Sequence, residues 1–322
     1  MLKETFKYYK RKCPPPSLKE LIDFSSKDST ENYATSCLGQ INNSVGLTPS
    51  SEWKIFQLED KPGFIFISNP FTSIGQRYWI CRCVKHYTRK PNRLNLDVHG
   101  DIKDGDWWTQ CQNDYEQGSK LMEKLRWATL GYHHNWDTKV YKESDRDPFP
   151  EDLAALSKQV ASIVGFPQFS AEAAIVNYYH MDSTLSCHTD HSELNLDAPL
   201  LSYSFGQSAI FLLGGRSKEE KPLAIRIDSG DIVIMSGESR HYYHGIPLIM
   251  PAKQSSWNLK ANEEFSDEFL RPISLMENPE ILDSMHQELQ NDKLWEPFEK
   301  YISTSRINMN VRQVLPFGQS SL

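Results

Sequence analysis

No stretch of this 322-residue chain approaches the ~20 consecutive apolar residues that a membrane-spanning helix needs, so no membrane role is expected. The first residues carry Lys3, Glu4, Lys7 and Lys10 where a secretory leader would need an apolar run. Cysteine is sparse and unpatterned: six are scattered without framework spacing, which fits a reducing, intracellular setting. Cys81-Arg82-Cys83 is too close for the usual zinc pair and reads as a helix turn. There is no long low-complexity tract. With aromatics at 11% and charged residues at 24%, the composition is globular, enough for one large core or two modest ones.

A basic surplus is also missing. The net charge of −7 argues at first sight against a polyanionic partner, but its distribution is uneven. Residues 1–12 hold Lys3, Lys7, Lys10, Arg11 and Lys12 against Glu4 alone. Residues 77–93 hold Arg77, Arg82, Lys85, Arg89, Lys90 and Arg93 with no acid, whereas residues 251–300 hold eleven acids against five bases. A polyanion feels the field within roughly a Debye length, ~8 Å, so the two basic stretches count for more than the total. The plainer reading is a pair of solvated helix faces.

Taken in order, the chain starts with an amphipathic helix over 2–13, with Leu2, Phe6, Tyr9 and Cys13 on one stripe and Pro14-Pro15-Pro16 as its stop. Residues 24–52 read as linker or coil, 54–58 and 63–68 as strands, 73–87 as a helix, and 95–118 as polar loop. A strand at 126–132 leads into a polar-aromatic cluster of His133, His134, Trp136 and Tyr141, and a helix follows over 148–164. Short strands then succeed one another at 172–180, 200–205, 208–213, 222–227 and 231–236. An acidic helical insert at 250–302 separates them from a last strand at 306–314, and 315–322 reads as a frayed tail. The fold class expected is mixed α/β (α+β) with a mainly β core, a double-stranded β-helix or jelly roll. Its divisions are an N-terminal helix and linker (1–52), a recognition lid (53–165), the core with its insert (166–315) and the tail (316–322).

Chemistry gathers at Asn177–Asp190. Apolar Ala173–Val176 lead in as a strand, and alternation puts His188 and Asp190 on one face with Thr189 turned away. An imidazole and a carboxylate so placed can hold adjacent positions on one metal ion. A distant second histidine would complete the facial triad that suits non-haem Fe(II). By itself His-x-Asp is more often an ordinary surface pair. His241 and His244, in Ser239–Pro247, both qualify as the third ligand. An open Fe(II) site needs a co-substrate, and the far carboxylate of 2-oxoglutarate needs a fixed bidentate cation, for which arginine suits better than lysine. Residues 306–312, as a strand, send Arg306, Asn308, Asn310 and Arg312 to one face and Ile307, Met309 and Val311 to the other.

Asn177-x-Tyr179, His188-x-Asp190, Glu238-Ser239-Arg240 before Tyr243-His244-Gly245-Ile246, and Arg306-x-Asn308-x-x-x-Arg312 together resemble the AlkB family of Fe(II)/2-oxoglutarate dioxygenases. Phe6–Lys10, Arg89–Arg93, Leu125–Trp127, Ser204–Gly215 and Val311–Leu315 are most similar to its eukaryotic homologue-1 subgroup, so the resemblance runs from residue 5 to about 315. It implies iron on His188, Asp190 and His244, and 2-oxoglutarate on Asn177, Tyr179, Arg306, Asn308 and Arg312, with O2 as co-substrate. It places substrate contacts on Trp127, Tyr132, His133 and His134, with Tyr141 a further stacking candidate. Lys7, Lys10, Arg11, Arg89, Lys90 and Arg93 are the candidates for nucleic-acid backbone. Two departures stand out: His244 and Arg306 lie further apart than in the bacterial enzyme, and Ser192 stands where that enzyme has a base-facing aspartate.

The implied activity is oxidative demethylation of methylated adenine or cytosine in tRNA or unpaired DNA, releasing formaldehyde, succinate and CO2. A histone methyl-lysine demethylase and a non-catalytic nucleic-acid-binding module are the alternatives. The expected protein is a monomer with nucleic acid as partner (histones in the alternative), in the nucleus, the mitochondrion or the cytoplasm.

Overall fold

The computed structural model describes residues 1–26, 46–100, 102, 105–113, 115–259 and 279–322. Residues 27–45 of the expected linker and 260–278 of the expected acidic insert lie outside the described residues.

Helix α1 (Leu2–Lys10) is followed by strands β1 (Lys54–Gln57) and β2 (Phe64–Ser68) and helix α2 (Ser73–Cys81). The Thr72 hydroxyl caps α2 by accepting from the Gly75 amide at 3.0 Å, and a wider π-turn over Arg82–His86 prolongs it. Strand β3 (Arg93–Leu94), helices α3 (Trp107–Asn113) and α4 (Tyr115–Lys124), strand β4 (Trp127–Gly131) and helix α5 (Glu151–Ile163) come next. The second half brings β5 (Ala173–His180), β6 (Leu185–His188), β7 (Leu200–Gly206), β8 (Ser208–Leu213), β9 (Leu223–Ile227), β10 (Ile232–Met235) and β11 (His244–Met250). Helices Pro279–Gln290 and Asp292–Ile302 precede β12 (Ser305–Arg312).

These strands form two antiparallel sheets, one of eight strands in the order β1-β2-β10-β7-β12-β5-β4-β3 and one of four, β6-β11-β8-β9. Among the described residues the sheets share no strand and do not close into a barrel, which corrects the expectation of a double-stranded β-helix or jelly roll. The β1–β2 hairpin and the β3–β4 pair extend the large sheet on its two flanks, which leaves eight strands against four with no ladder joining the two sheets. The mixed α/β character stands. A second correction concerns 95–118: α3 and the start of α4 occupy nearly half of the expected loop. Polar neighbours hide buried Trp107, Trp108 and Cys111, which are enough to dock a helix.

Alternation along the central strands divides the molecule. Ile307, Met309, Val311, Val176, Tyr178, Ile232 and Ile234 face the helices and form the main core with Trp79, Trp107 and Leu156. Their sequence neighbours face the small sheet. There Val233, Met235, Phe64 and Phe66 pack with Phe211, Ile225 and Ile246, while Arg306, Asn308, Asn310 and Arg312 line a cavity. Each apolar side chain so buried contributes about 1.5–3 kcal/mol. Helix α1 covers the other face of the small sheet, its Tyr9 packing with Ile210, Leu212 and Met250.

The helical layer is fastened by a buried carboxylate. Asp152, in the first turn of α5, accepts from Tyr78 Oη (2.7 Å), Arg82 Nε (2.7 Å), Tyr87 Oη (3.2 Å) and its neighbour Leu153 N (2.9 Å). Asp152→Ala removes the buried carboxylate that ties Tyr78, Arg82 and Tyr87 to α5 and is expected to lower stability by about 3–5 kcal/mol, as read from urea unfolding midpoints.

Candidate metal centre and co-substrate pocket

The register of two neighbouring strands brings the histidines together. His188, the last residue of β6, lies directly opposite His244, the first of β11. Their rings are 4.5 Å apart, and Asp190, two residues past β6, approaches both: Oδ1 is 3.7 Å from His188 Nε2 and Oδ2 is 3.6 Å from His244 Nε2. Gly245 permits the approach, because a Cβ there would sit 2.9 Å from Leu185 O and from Cys187 Sγ. His188 Nδ1 lies 2.9 Å from Ser186 O and His244 Nδ1 lies 3.2 Å from Tyr242 O. A carbonyl can only accept, so Nδ1 of each ring donates to it and Nε2 is the ring atom turned toward Asp190. Burial and the neighbouring His188 push His244 down to about 4, which keeps it neutral. Burial opposes ionisation of Asp190, but the Arg312 guanidinium, with Arg240 behind it, holds its carboxyl below the ordinary value. Two imidazoles and a carboxylate, with ligand atoms within 4.8 Å of one another, suit a divalent ion with positions left open.

The three open onto a cavity of about 440 Å³ between the sheets, lined by Asn177, Tyr179, Arg306, Asn308 and Arg312 on one wall. Arg306 is buried, and among the described residues only its Nη2 has an acceptor, Ser204 Oγ at 2.9 Å. Its Nε and Nη1 are buried without a partner. Burial pushes the guanidinium down to about 10, so it stays charged. Each unmet buried donor costs about 1–3 kcal/mol, and a carboxylate would relieve both at once. Asn308 Nδ2 is fixed by Ser202 Oγ (2.8 Å) and Tyr203 O (3.0 Å), while burial drives the Tyr179 phenol up to about 12 and keeps it a donor.

A sequence profile of the 2OG-Fe(II) oxygenase superfamily matches residues 81–312. The chain belongs to that superfamily. Within it the chain is similar to the nucleic acid dioxygenase ALKBH1 of Mus musculus, at 45% identity over 85% of this chain and 70% of that one. Its Homo sapiens counterpart is 40% identical over 99% of this chain and 85% of that one. The tRNA demethylase abh1 of Schizosaccharomyces pombe is 39% identical over 82% of each. Membership of the superfamily, in its AlkB branch, makes the protein an Fe(II)/2-oxoglutarate-dependent dioxygenase. Its cofactors fit the residues present: a His-Asp-His set for the ion, and an arginine fork short of acceptors for a dicarboxylate.

The second wall of the oxygenase cavity divides the residues expected to meet substrate. His134 and Tyr141 line it; Trp127, Tyr132 and His133 do not. Tyr132 is buried with its hydroxyl on Glu143 at 2.5 Å, and His133 is held between Thr129 Oγ1 (2.7 Å) and Asp147 Oδ2 (2.8 Å). His133 thus braces the segment whose next residue turns inward. Trp127 lies behind Trp136, ring centroids 5.3 Å apart, and Trp136 takes the place at the cavity, with the Lys139 ammonium 5.6 Å from its ring. His134 meets Trp136 edge-on at 4.8 Å, and its Nδ1 is buried without a partner. His241 sits exposed in a short 3-10 turn away from the ligand set.

Glu193 carried no sequence signal of its own beyond its closeness to Asp190. Arg240 and Phe211 stood inside motifs of the family resemblance but were given no role by it; Phe211 packs 5.7 Å from the His244 ring.

The second basic stretch looks different once folded. Every one of its cations meets a carboxylate from elsewhere: Arg77 with Asp292, Arg82 with Asp152, Lys85 with Glu288, Arg89 with Asp106, Lys90 with Asp97 and Arg93 with Asp145. Lys7, Lys10 and Arg11 are exposed and, among the described residues, have no ion pair; Arg11 rests on the Tyr8 ring at 4.3 Å.

Proposed function

We propose that this dioxygenase demethylates methylated adenine or cytosine in nucleic acid, with Fe(II) on His188, Asp190 and His244 and 2-oxoglutarate on Asn177, Tyr179, Arg306, Asn308 and Arg312. The observation that carries this reading is the meeting, in one cavity, of the His-Asp-His set and the ring wall of His134, Trp136 and Tyr141. An unpaired or flipped base is flat and apolar on both faces, and such rings accept it by stacking. Bound Fe(II), 2-oxoglutarate and O2 supply the oxidation of a methyl group, with succinate and CO2 formed from the co-substrate and formaldehyde lost from nitrogen. The chain itself positions the two reactants and keeps water out. Tyr179 and Arg306 hold the co-substrate end, and Phe211 of the small sheet with Val233 and Met235 of the large one forms an apolar side. The relatives named for nucleic acid and tRNA support the same substrate class.

Nucleoside mass spectrometry of tRNA and of single-stranded DNA, before and after incubation with Fe(II) and 2-oxoglutarate, tests the proposal. A methylated nucleoside should fall with matching succinate. Succinate formed without any nucleoside change would overturn the substrate class.

Lys7, Lys10 and Arg11 on α1 are proposed as backbone contacts, with Arg89, Lys90 and Arg93 contributing less because each already faces an acid. Charge reversal at Lys7 and Lys10 is expected to weaken RNA binding and to flatten its salt dependence by about one unit of slope per lost contact, as measured by fluorescence anisotropy between low and moderate salt. Reversal at Arg89 and Arg93 should change the slope less.

A further inference from the structure

Glu193 is buried at the junction of the metal set, the co-substrate wall and the ring wall, and both its oxygens are engaged. Oε1 lies 2.8 Å from Arg312 Nε and accepts from Tyr141 Oη at 3.4 Å; Oε2 lies 3.0 Å from Arg240 Nη2. Arg312 continues to Asp190, its Nη2 3.2 Å from Oδ1, and Arg240 holds the Asp190 backbone carbonyl from Nη1 at 3.4 Å. One carboxylate therefore orients the two arginines that fix Asp190 from its side chain and from its main chain. The same carboxylate is the acceptor for a hydroxyl on the lid. Arg240 is further held by the Ala198 carbonyl at 3.3 Å, so this end of the network has little room to move. Tyr141, by contrast, belongs to the segment that faces the cavity mouth with Trp136 and Lys139.

We propose that Glu193 is a positioning residue that couples the lid to the metal carboxylate through Tyr141 and Arg312, so that a base seated against the lid alters the geometry at the metal. The metal half of the proposal is independent of substrate; the lid half rests on the nucleic-acid reading above. With both oxygens held by arginines, Glu193 is not free to contact a base directly, and its influence on substrate runs through Tyr141. Glutamine at this position keeps the volume and one acceptor but removes the charge. It leaves Arg312 with Asp190 as its remaining carboxylate and Arg240 on the Asp190 and Ala198 carbonyls, drawing Arg312 further onto Asp190 Oδ1.

The test uses the full chain with Co(II), which reports its coordination in the visible spectrum, and 2-oxoglutarate. Glu193→Gln is expected to weaken Co(II) binding by about 10–100-fold, the range seen when a partner of a metal ligand is changed. Tyr141→Phe should keep the wild-type Co(II) affinity. Adding a methylated single-stranded oligonucleotide should shift the Co(II) bands of the wild type and leave those of both variants unmoved. Wild-type Co(II) affinity in Glu193→Gln, or a band shift that persists in both variants, would overturn the proposal. If Glu193→Gln does not fold, Tyr141→Phe decides it by whether the band shift survives. An oligonucleotide that fails to bind the wild type by anisotropy counts against the nucleic-acid reading instead, and the Co(II) affinity of Glu193→Gln still decides the metal half.

Discussion

His188→Ala or Asp190→Ala is expected to abolish succinate formation, with a loss beyond about 100-fold, since changes merely outside a ligand set already cost roughly 10–100-fold. Each variant leaves two ligands where three converge, and no other His, Cys, Asp or Glu among the described residues joins that set. Stability should change little at His188, whose side chain is 38% exposed, so loss of turnover with an unchanged melting temperature is the expected signature. Asp190 differs. It is the counter-charge to Arg312, and its removal leaves that guanidinium with Glu193 alone, so a lower melting temperature should accompany the lost activity. Succinate measured by mass spectrometry against metal concentration checks both. Normal turnover in either variant would mean that the ion is held elsewhere.

Arg306→Ala should raise the KM for 2-oxoglutarate by about 100-fold or more. A hydrogen bond to a charged group is worth about 1.5–3 kcal/mol, and two donors await one carboxylate here. Every ~1.4 kcal/mol is a factor of ten in affinity. Arg306→Lys should not restore binding, because an ammonium on a flexible stem cannot present two parallel donors from the floor of a sheet. Metal affinity should be unchanged in both, which separates this effect from the one at His188. A KM within a few-fold of wild type would place the far carboxylate on another residue.

How much of this was legible beforehand depends on the range of the interaction. The two faces of β12 follow from alternation alone, and the structure has Arg306, Asn308, Asn310 and Arg312 on the cavity and Ile307, Met309 and Val311 in the core. Helix α1 and the Cys81–Cys83 turn were legible for the same reason: each is decided by residues within one or two turns. The 95–118 segment was not, because two tryptophans and a cysteine among polar residues give too narrow a stripe to count as a helix face. Sheet closure was not either, since it depends on which distant strands flank the core.

Spacing and residue type thus determined the chemistry available: an imidazole and a carboxylate two apart, a strand with arginines on one face, and a motif set shared with AlkB. Tertiary structure decided which of those residues act together. His244 rather than His241 joins the pair because β11 registers opposite β6, and registry is set by hydrogen bonds between strands far apart in sequence. The six cations of residues 77–93 were a basic run only on paper. Folding supplied each with an acid between 7 and 215 positions away, which a local charge count cannot see. Glu193 was invisible for the same reason: its place at the junction rests on three partners contributed by three separate parts of the chain.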